Sequence, residues 1–244
     1  MAKDYKIYTY ATHSQGNFER LLRDCDITVL GFGRKWNGFM DKFKGMRDAL
    51  QREPNKNLLV IFLDGFDTKV CQNPDVAVEK YRSLYPSLPL LCSSHRVFGR
   101  ALDSYFHTKV FDGGANSGMY MGPLDKVQQT LEAAIKLEDA CLGDDQRAMN
   151  KALRAGCVDY AIDVDRQIFC NLTMLERFRT DQCLAPFVST PGEFSYRRLK
   201  RACSEYLPFL KLEVSLFLAF MLVVALLIMA CAASAKHRRR QHYR

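Results

Sequence analysis

Asp64 and Asp67 stand three residues apart across a Gly-Phe step, directly after six uninterrupted apolar residues, Leu58 to Leu63. An apolar run of that length is the pattern of a strand buried on both faces of a mostly parallel sheet. The carboxyl end of such a strand is where open α/β sheets place their ligands. Two carboxylates that close repel unless a cation lies between them. A hard divalent ion with oxygen ligands, keeping waters and gripping a phosphate-bearing substrate, meets that need. A strand-end turn, in which Asp64 caps the next segment, is the other reading of the same spacing. Several chemistries are excluded, because the sequence contains no GxxxxGK loop, no HExxH and no GxSxG. Asp64-Gly-Phe-Asp67-Thr68 is not an aspartyl-phosphate site either, since that chemistry uses carboxylates two residues apart.

Such a pair needs elements to hold it. Lys6 to Tyr10 is β-rich and reads as a first strand, with Thr12 to Asn17 the loop beyond it and Phe18 to Arg23 opening a helix. Ile27 to Leu30 is a second short strand closed by Gly31-Phe32-Gly33. Asp41 to Arg52 reads as a helix with Phe43, Met46 and Leu50 on one face. After the Leu58 strand, Asn73-Pro74-Asp75 starts a helix through Leu84. Leu88 to Cys92 is another apolar run, Ser93 to Thr108 is polar and irregular, and Met119 to Met121 reads as extended. Pro123, at a first-turn position, begins a helix through Asp139. Asp144 to Ala155 is a further helix, for which one of Asp144 and Asp145 is a natural N-cap. Val158 to Ile162 is a last strand. This alternation predicts an α/β fold with a mostly parallel sheet flanked by helices.

Charge is concentrated at one end. The formal net charge is +8, but five of the 35 Lys and Arg lie in the last nine residues. The remaining 30 nearly balance the 27 Asp and Glu, which gives no case for a nucleic-acid surface. Nine cysteines form no CxxC pair and no zinc spacing. Eight of them precede the carboxyl-terminal apolar run and permit a disulfide framework without requiring one, while Cys92 and Cys170, beside apolar stretches, read as plain buried thiols. Val214 to Ala235 runs 22 residues without a charge, long enough to cross a hydrocarbon core of roughly 30 Å. The expected organisation is a domain over 1–195, a basic juxtamembrane segment over 196–213, a transmembrane helix over 214–235 and a basic tail over 236–244. The amino terminus shows no apolar run of signal-peptide length.

A series of blocks carries a resemblance. YATHSQGNF, VLGFGRKWNG, KGMRDAL, VIFLDGFD, ANSGMYMG, LGDDQ and DRQIFCNL occur in this order over residues 6 to about 195. Together they resemble the glycosyltransferase domain of the procollagen lysyl hydroxylases, which has the GT-A fold of nucleotide-sugar-dependent transferases. The resemblance implies that Asp64 and Asp67 hold Mn²⁺, or another divalent cation, against the diphosphate of a UDP-sugar. It places Thr12 and Trp36 at the nucleotide pocket, where an indole suits stacking on uracil. It gives Lys44 a phosphate to pair with, Asn116 the sugar hydroxyls, and Asp144 and Asp145 a place facing the sugar. The implied activity is transfer of a hexose to a protein or glycan acceptor. A membrane-anchored but catalytically silent GT-A domain that binds a partner through the same cleft is the alternative.

Two departures from the family pattern bear on that choice. The family's third metal ligand, a histidine, has Phe187-Val188-Ser189 as its counterpart here. A family glutamate after the Leu88 strand is replaced within Ser93-Ser94-His95. Topology is open as well. A carboxyl-terminal span without a signal sequence leaves the domain cytosolic, whereas the basic tail prefers the cytosolic side. Asn171-Leu-Thr173 is a glycosylation sequon that only a lumenal domain could use. A single-pass protein of the endomembrane system, with the side of the domain unresolved, is the expectation.

Overall fold

Leu59 to Leu63 are all buried and form the strand on which the rest is built in the computed structural model of the chain. Side chains alternate across a strand. Val60 and Phe62 therefore enter one core layer, and Leu59, Ile61 and Leu63 the other. The structure describes residues 3–95, 113–172, 183–190 and 214–224. The chain divides into two units, Met1–Glu193 and Phe194–Arg244.

The elements of the first unit are β1 (Tyr5–Tyr10), α1 (Phe18–Asp24), β2 (Thr28–Leu30), α2 (Met40–Gln51), β3 (Leu59–Leu63), β4 (Thr68–Val70), α3 (Pro74–Leu84), β5 (Leu90–Ser94), β6 (Ala115–Pro123), α4 (Leu124–Ile135), a 3-10 turn at Asp139–Cys141, α5 (Asp145–Arg154), β7 (Tyr160–Asp163), β8 (Phe169–Asn171) and β9 (Phe187–Ser189). Six strands make the central sheet in the order β2-β1-β3-β6-β5-β7. β6 alone runs against the others, so the sheet is mostly parallel, as expected. A small second sheet, β4-β9-β8, joins residues distant in sequence.

Helices cover both faces. On one, Phe43, Met46 and Leu50 of α2, Val127 and Leu131 of α4, and Met149 and Leu153 of α5 pack on Tyr8, Val60, Phe62 and Tyr120. On the other, Leu21 of α1 and Val78 and Tyr81 of α3 meet Ile7, Ile61 and Met121, with Phe169 and Phe187 from the small sheet. Burying each such side chain contributes about 1.5–3 kcal/mol against exposure.

Two expectations change. Pro123 closes β6 and occupies the cap position of α4, with ψ 143°, instead of its first turn. The helix ends at Ile135, and the 3-10 turn beyond it closes on two left-handed residues, Leu142 (φ 55°) and Gly143 (φ 73°), that redirect the chain into α5. Strands β4, β8 and β9 were not expected. Each spans three residues, too few for a period-two pattern to register.

In the second unit, residues 214–224 are helical, and Leu216, Phe217, Phe220 and Leu222 are each more than 60% exposed. The segment is apolar all round, without a polar stripe. No helix among the described residues is long and apolar enough to cross a membrane. Residues 225–235 of the expected span lie outside the described residues.

Candidate active site

Parallel strands deliver their following loops to one edge of a sheet. The Thr12 loop after β1, the Asp64 turn after β3 and Ser93-Ser94 at the end of β5 therefore share the carboxyl edge. β6 runs the other way, so its beginning, Ala115 to Gly118, arrives at the same edge. Here β6 bulges: Cys92 faces Tyr120, but the next residue of β5, Ser93, faces Asn116. Bulges of this kind interrupt a ladder and re-aim side chains.

The Asp64 turn is tightly built. Its N–H donates to the Gly118 carbonyl at 2.7 Å, and its Oδ1 accepts from the Phe66 N–H at 3.1 Å. That local bond is an Asx turn, so the capping reading of Asp64 is met alongside any ligand role. The Thr12 loop lies against the turn. Asn17 N–H donates to the Phe66 carbonyl at 2.8 Å. Gly16, at φ 59°, leaves room where a Cβ would collide with that same oxygen. Asp67 is held through its backbone: its carbonyl accepts from Asn17 Nδ2 at 3.3 Å and from the Thr190 N–H at 2.9 Å. Ser189 pairs with Thr68 in the β4–β9 ladder. The segment matched to the missing histidine is therefore next to the Asp67 turn.

A residue that sequence reasoning passed over stands at the centre. Lys42 of α2 is buried, with Nζ 2.6 Å from Asp145 Oδ2 and 3.8 Å from Asp64 Oδ2. Burial alone would depress its pKa. The Asp145 and Asp64 carboxylates outweigh that and hold it above its ordinary value of 10.5. Ser117 Oγ donates to the same Asp145 oxygen at 2.8 Å, which leaves Asp145 Oδ1 to accept from something else. Lys44, singled out from the sequence, pairs with Glu138 at 2.7 Å instead. Two residues along a helix rotate a side chain by about 200°, so Lys44 points away when Lys42 points in. A signal for Lys42 existed: it falls in the apolar stripe of α2 with Phe43, Met46 and Leu50.

Asn116 is oriented without ambiguity. Its Oδ1 accepts from the Gly118 N–H at 2.8 Å, and a backbone N–H can only donate. Its Nδ2 must therefore donate, and it does so to Gln146 Oε1 at 3.0 Å. Gly118 fits the gap beside Asp64, since a Cβ there would come within 2.9 Å of Asn116 Oδ1 and 3.6 Å of Asp64 Cβ. Asp144 caps α5, accepting from the Arg147 N–H at 2.8 Å. The adjacent Asp145 is the partner that bonds both Lys42 and Ser117. Thr12 and Trp36 lie on the neighbouring loops: the Thr12 carbonyl accepts from the Gly33 N–H at 3.0 Å. Trp36 is 39% exposed and stands edge-on to Phe39.

The donor set can be tested against a divalent ion. Among the described residues no group of three or more His, Cys, Asp or Glu is placed to hold a metal. Asp64 and Asp67 offer hard oxygens, and Asp64 is also drawn to an ammonium. These donors fit an ion that takes its other ligands from a diphosphate and water, not one held in a finished protein cage.

Two cysteine and sequon expectations are settled here. Cys170 is not a free thiol: it forms a disulfide with Cys183. Cys92 is free and buried, as expected. Asn171 of the sequon is buried, and its Nδ2 is committed to the Ser94 carbonyl at 2.8 Å and Ser93 Oγ at 3.2 Å. A glycan on that nitrogen is incompatible with this packing.

Comparison with curated proteins finds none that match the chain. A family model does match: that of the PLOD GT domain, over residues 1–180. With the aspartate turn, the bulged strand and the Asp-Asp-Gln helix start assembled on one edge of a mostly parallel sheet, the chain belongs to the family of procollagen lysyl hydroxylase-type glycosyltransferase domains.

Proposed function

We propose that the protein is a membrane-anchored glycosyltransferase that takes a hexose from a UDP-sugar and passes it to a hydroxyl of a protein or glycan acceptor. The observation that carries the reading is the convergence of Asp64, Lys42, Asp145 and Asn116 on one sheet edge. Asp64 and Asp67 would hold a divalent cation, Mn²⁺ in the first instance, which when bound neutralises charge on the departing diphosphate. The chain's own groups supply the rest. Lys42 places a fixed positive charge between the carboxylate of the metal side and that of the sugar side, where low solvent access strengthens it. Trp36 offers a face to the base, with Thr12 beside it, and Asn116 and Asp145 supply polar groups for sugar hydroxyls. Asp144 supports them by capping α5.

The apolar helix at 214–224 supports an anchor through 214–235. The Cys170–Cys183 disulfide supports a domain in an oxidising compartment. With the domain in the lumen, the basic tail lies in the cytosol, in line with the positive-inside rule.

The test is thermal. UDP should raise the melting temperature in Mn²⁺ and do little in EDTA, because a ligand stabilises only the state it binds. UDP release should then follow from a panel of UDP-sugars. Two features favour the alternative: Asp64 already has an ammonium partner, and Ser189 stands where the family has a histidine. A silent binding module would give a flat melting response to UDP at saturating Mn²⁺.

A further inference from the structure

The bulge that presents Asn116 lacks ladder bonds to β5 over Ser117 to Met119. Side chains hold it from two sides. From α5, Gln146 and Asp145 engage Asn116 and Ser117. From behind the sheet, a chain of polar groups reaches it from β8: Asn171 Nδ2 donates to Ser93 Oγ at 3.2 Å, and Ser93 Oγ donates to Asn116 Oδ1 at 3.3 Å. A serine hydroxyl can accept and donate at once, so the link is continuous. Ser93 is fully buried and Asn171 nearly so.

Asn171 is itself braced. The preceding residue, Cys170, is disulfide-bonded to Cys183. β8 pairs with β9 through Asn171 and Ser189, and the Leu172 N–H donates to the Ser189 carbonyl at 3.0 Å. The residue after Ser189, Thr190, holds the Asp67 carbonyl. One pair of short strands, with β8 stapled through Cys170 to Cys183 ahead of β9, thus supports both the Asn116 bulge and the Asp67 turn.

We propose that Asn171 is a positioning residue for Asn116, acting through Ser93, and that the Cys170–Cys183 disulfide keeps it in place, so that donor-sugar recognition depends on the oxidised state. This rests on the nucleotide-sugar reading of the cleft. Switching is a two-electron step: a dithiol reductant gives two electrons and two protons, the Cys170–Cys183 bond breaks into two thiols, and the reductant becomes a disulfide. The β8–β9 pair then keeps its backbone bonds but loses its covalent closure, and Asn171 loosens its hold on Ser93.

The experiment uses the full chain as wild type, Ser93→Ala, Asn171→Ala and Cys183→Ser, and wild type treated with dithiothreitol. Ser93→Ala removes one oxygen and leaves the Asn171–Ser94 bond intact, so it breaks the link without threatening the fold. Backbone hydrogen exchange over 116–119 is read against exchange in β3. Exchange at the bulge should rise in all four cases with β3 unchanged; unchanged exchange at the bulge overturns the proposal, whether or not any nucleotide binds. Binding of UDP, UDP-glucose and UDP-galactose is measured in parallel with Mn²⁺ present. The sugar nucleotide that wild type prefers should bind roughly two- to tenfold more weakly in the variants, the effect of one slackened hydrogen bond, while UDP itself is unaffected. Equal weakening for UDP and UDP-sugar, or a lowered melting temperature with binding unchanged, makes the link purely structural and overturns the positioning role. A wild type that binds none of the three probes refutes the cleft reading instead, and the exchange data still decide whether Asn171 holds the bulge.

Discussion

Replacing Lys42 with methionine removes one charge from a buried cluster while keeping a side chain of similar reach. The Nζ is 2.6 Å from Asp145, and the two side chains are 9% and 8% exposed, so solvent screens the pair little. Losing one partner of such a pair strands a buried carboxylate and costs about 3–5 kcal/mol. For a domain of this size each kcal/mol moves the melting temperature by about 2–4 °C, so Lys42→Met should melt roughly 6–20 °C lower. Urea unfolding followed by circular dichroism gives the free energy directly. The ammonium's pKa is raised on folding above 10.5. Its stabilisation is therefore fully present below that value and lost as pH climbs through the higher folded pKa. As pH rises, the gap between wild type and variant should accordingly stay constant through neutrality and narrow in strong alkali. Lys42→Met combined with Asp145→Asn should recover part of the loss, since no unpaired carboxylate then remains at 145. A cost below about 1 kcal/mol, with the two substitutions strictly additive, would refute the reasoning, because the ammonium would not be bound to the carboxylates at all.

Asp67→Asn changes a charge and almost no volume; it should abolish the Mn²⁺-dependent UDP shift in melting temperature while leaving the fold intact by circular dichroism. Ser189→His should tighten Mn²⁺ by about one to two powers of ten, judged by titration of the UDP shift, since that is the scale on which a metal site's supporting groups act. Gly118→Ala should push Asn116 Oδ1 from its place and weaken UDP-sugar binding more than UDP binding by calorimetry. Full-length protein should remain with membranes through carbonate washing, whereas a chain ending near Lys211 should be released.

Much of this fold was readable because its signals are long. The α2 stripe, the Leu59–Leu63 run and the Asn73-Pro74 start of α3, with Asn73 accepting from the Asp75 N–H at 3.0 Å, each extend over enough residues to declare themselves. The aspartate turn was readable too, because an apolar run that ends on a carboxylate is unusual. What escaped depends on pairing between distant segments. β4, β8 and β9 acquire their identity only from one another, β4 by pairing with β9 more than a hundred residues on and β8 by pairing with β9 eighteen residues on. The disulfide joins Cys170 of β8 to Cys183 ahead of β9, a contact that no local pattern announces, so Cys170 reads from sequence like any buried thiol. Lys44 comes from the resemblance alone, and Lys42 is passed over because sequence lists a helix's residues without fixing its rotation. Only packing of Phe43 and Met46 against the sheet settles which lysine faces Asp64.

Trp36 is the chain's single tryptophan, and it sits half-exposed on the loop that enters α2, beside Tyr10 and Phe39. Every photon of indole emission from this protein therefore originates at one address, on the loop that enters α2. Excitation at the red edge of the indole band excludes the tyrosines, and no engineered label is needed. If a pyrimidine base stacks on that ring, quenching and its return on washout give association and dissociation rates in a stopped-flow instrument. Acrylamide then reports how far the bound base shields the ring. The molecule carries its own optical gauge beside the pocket proposed for the base.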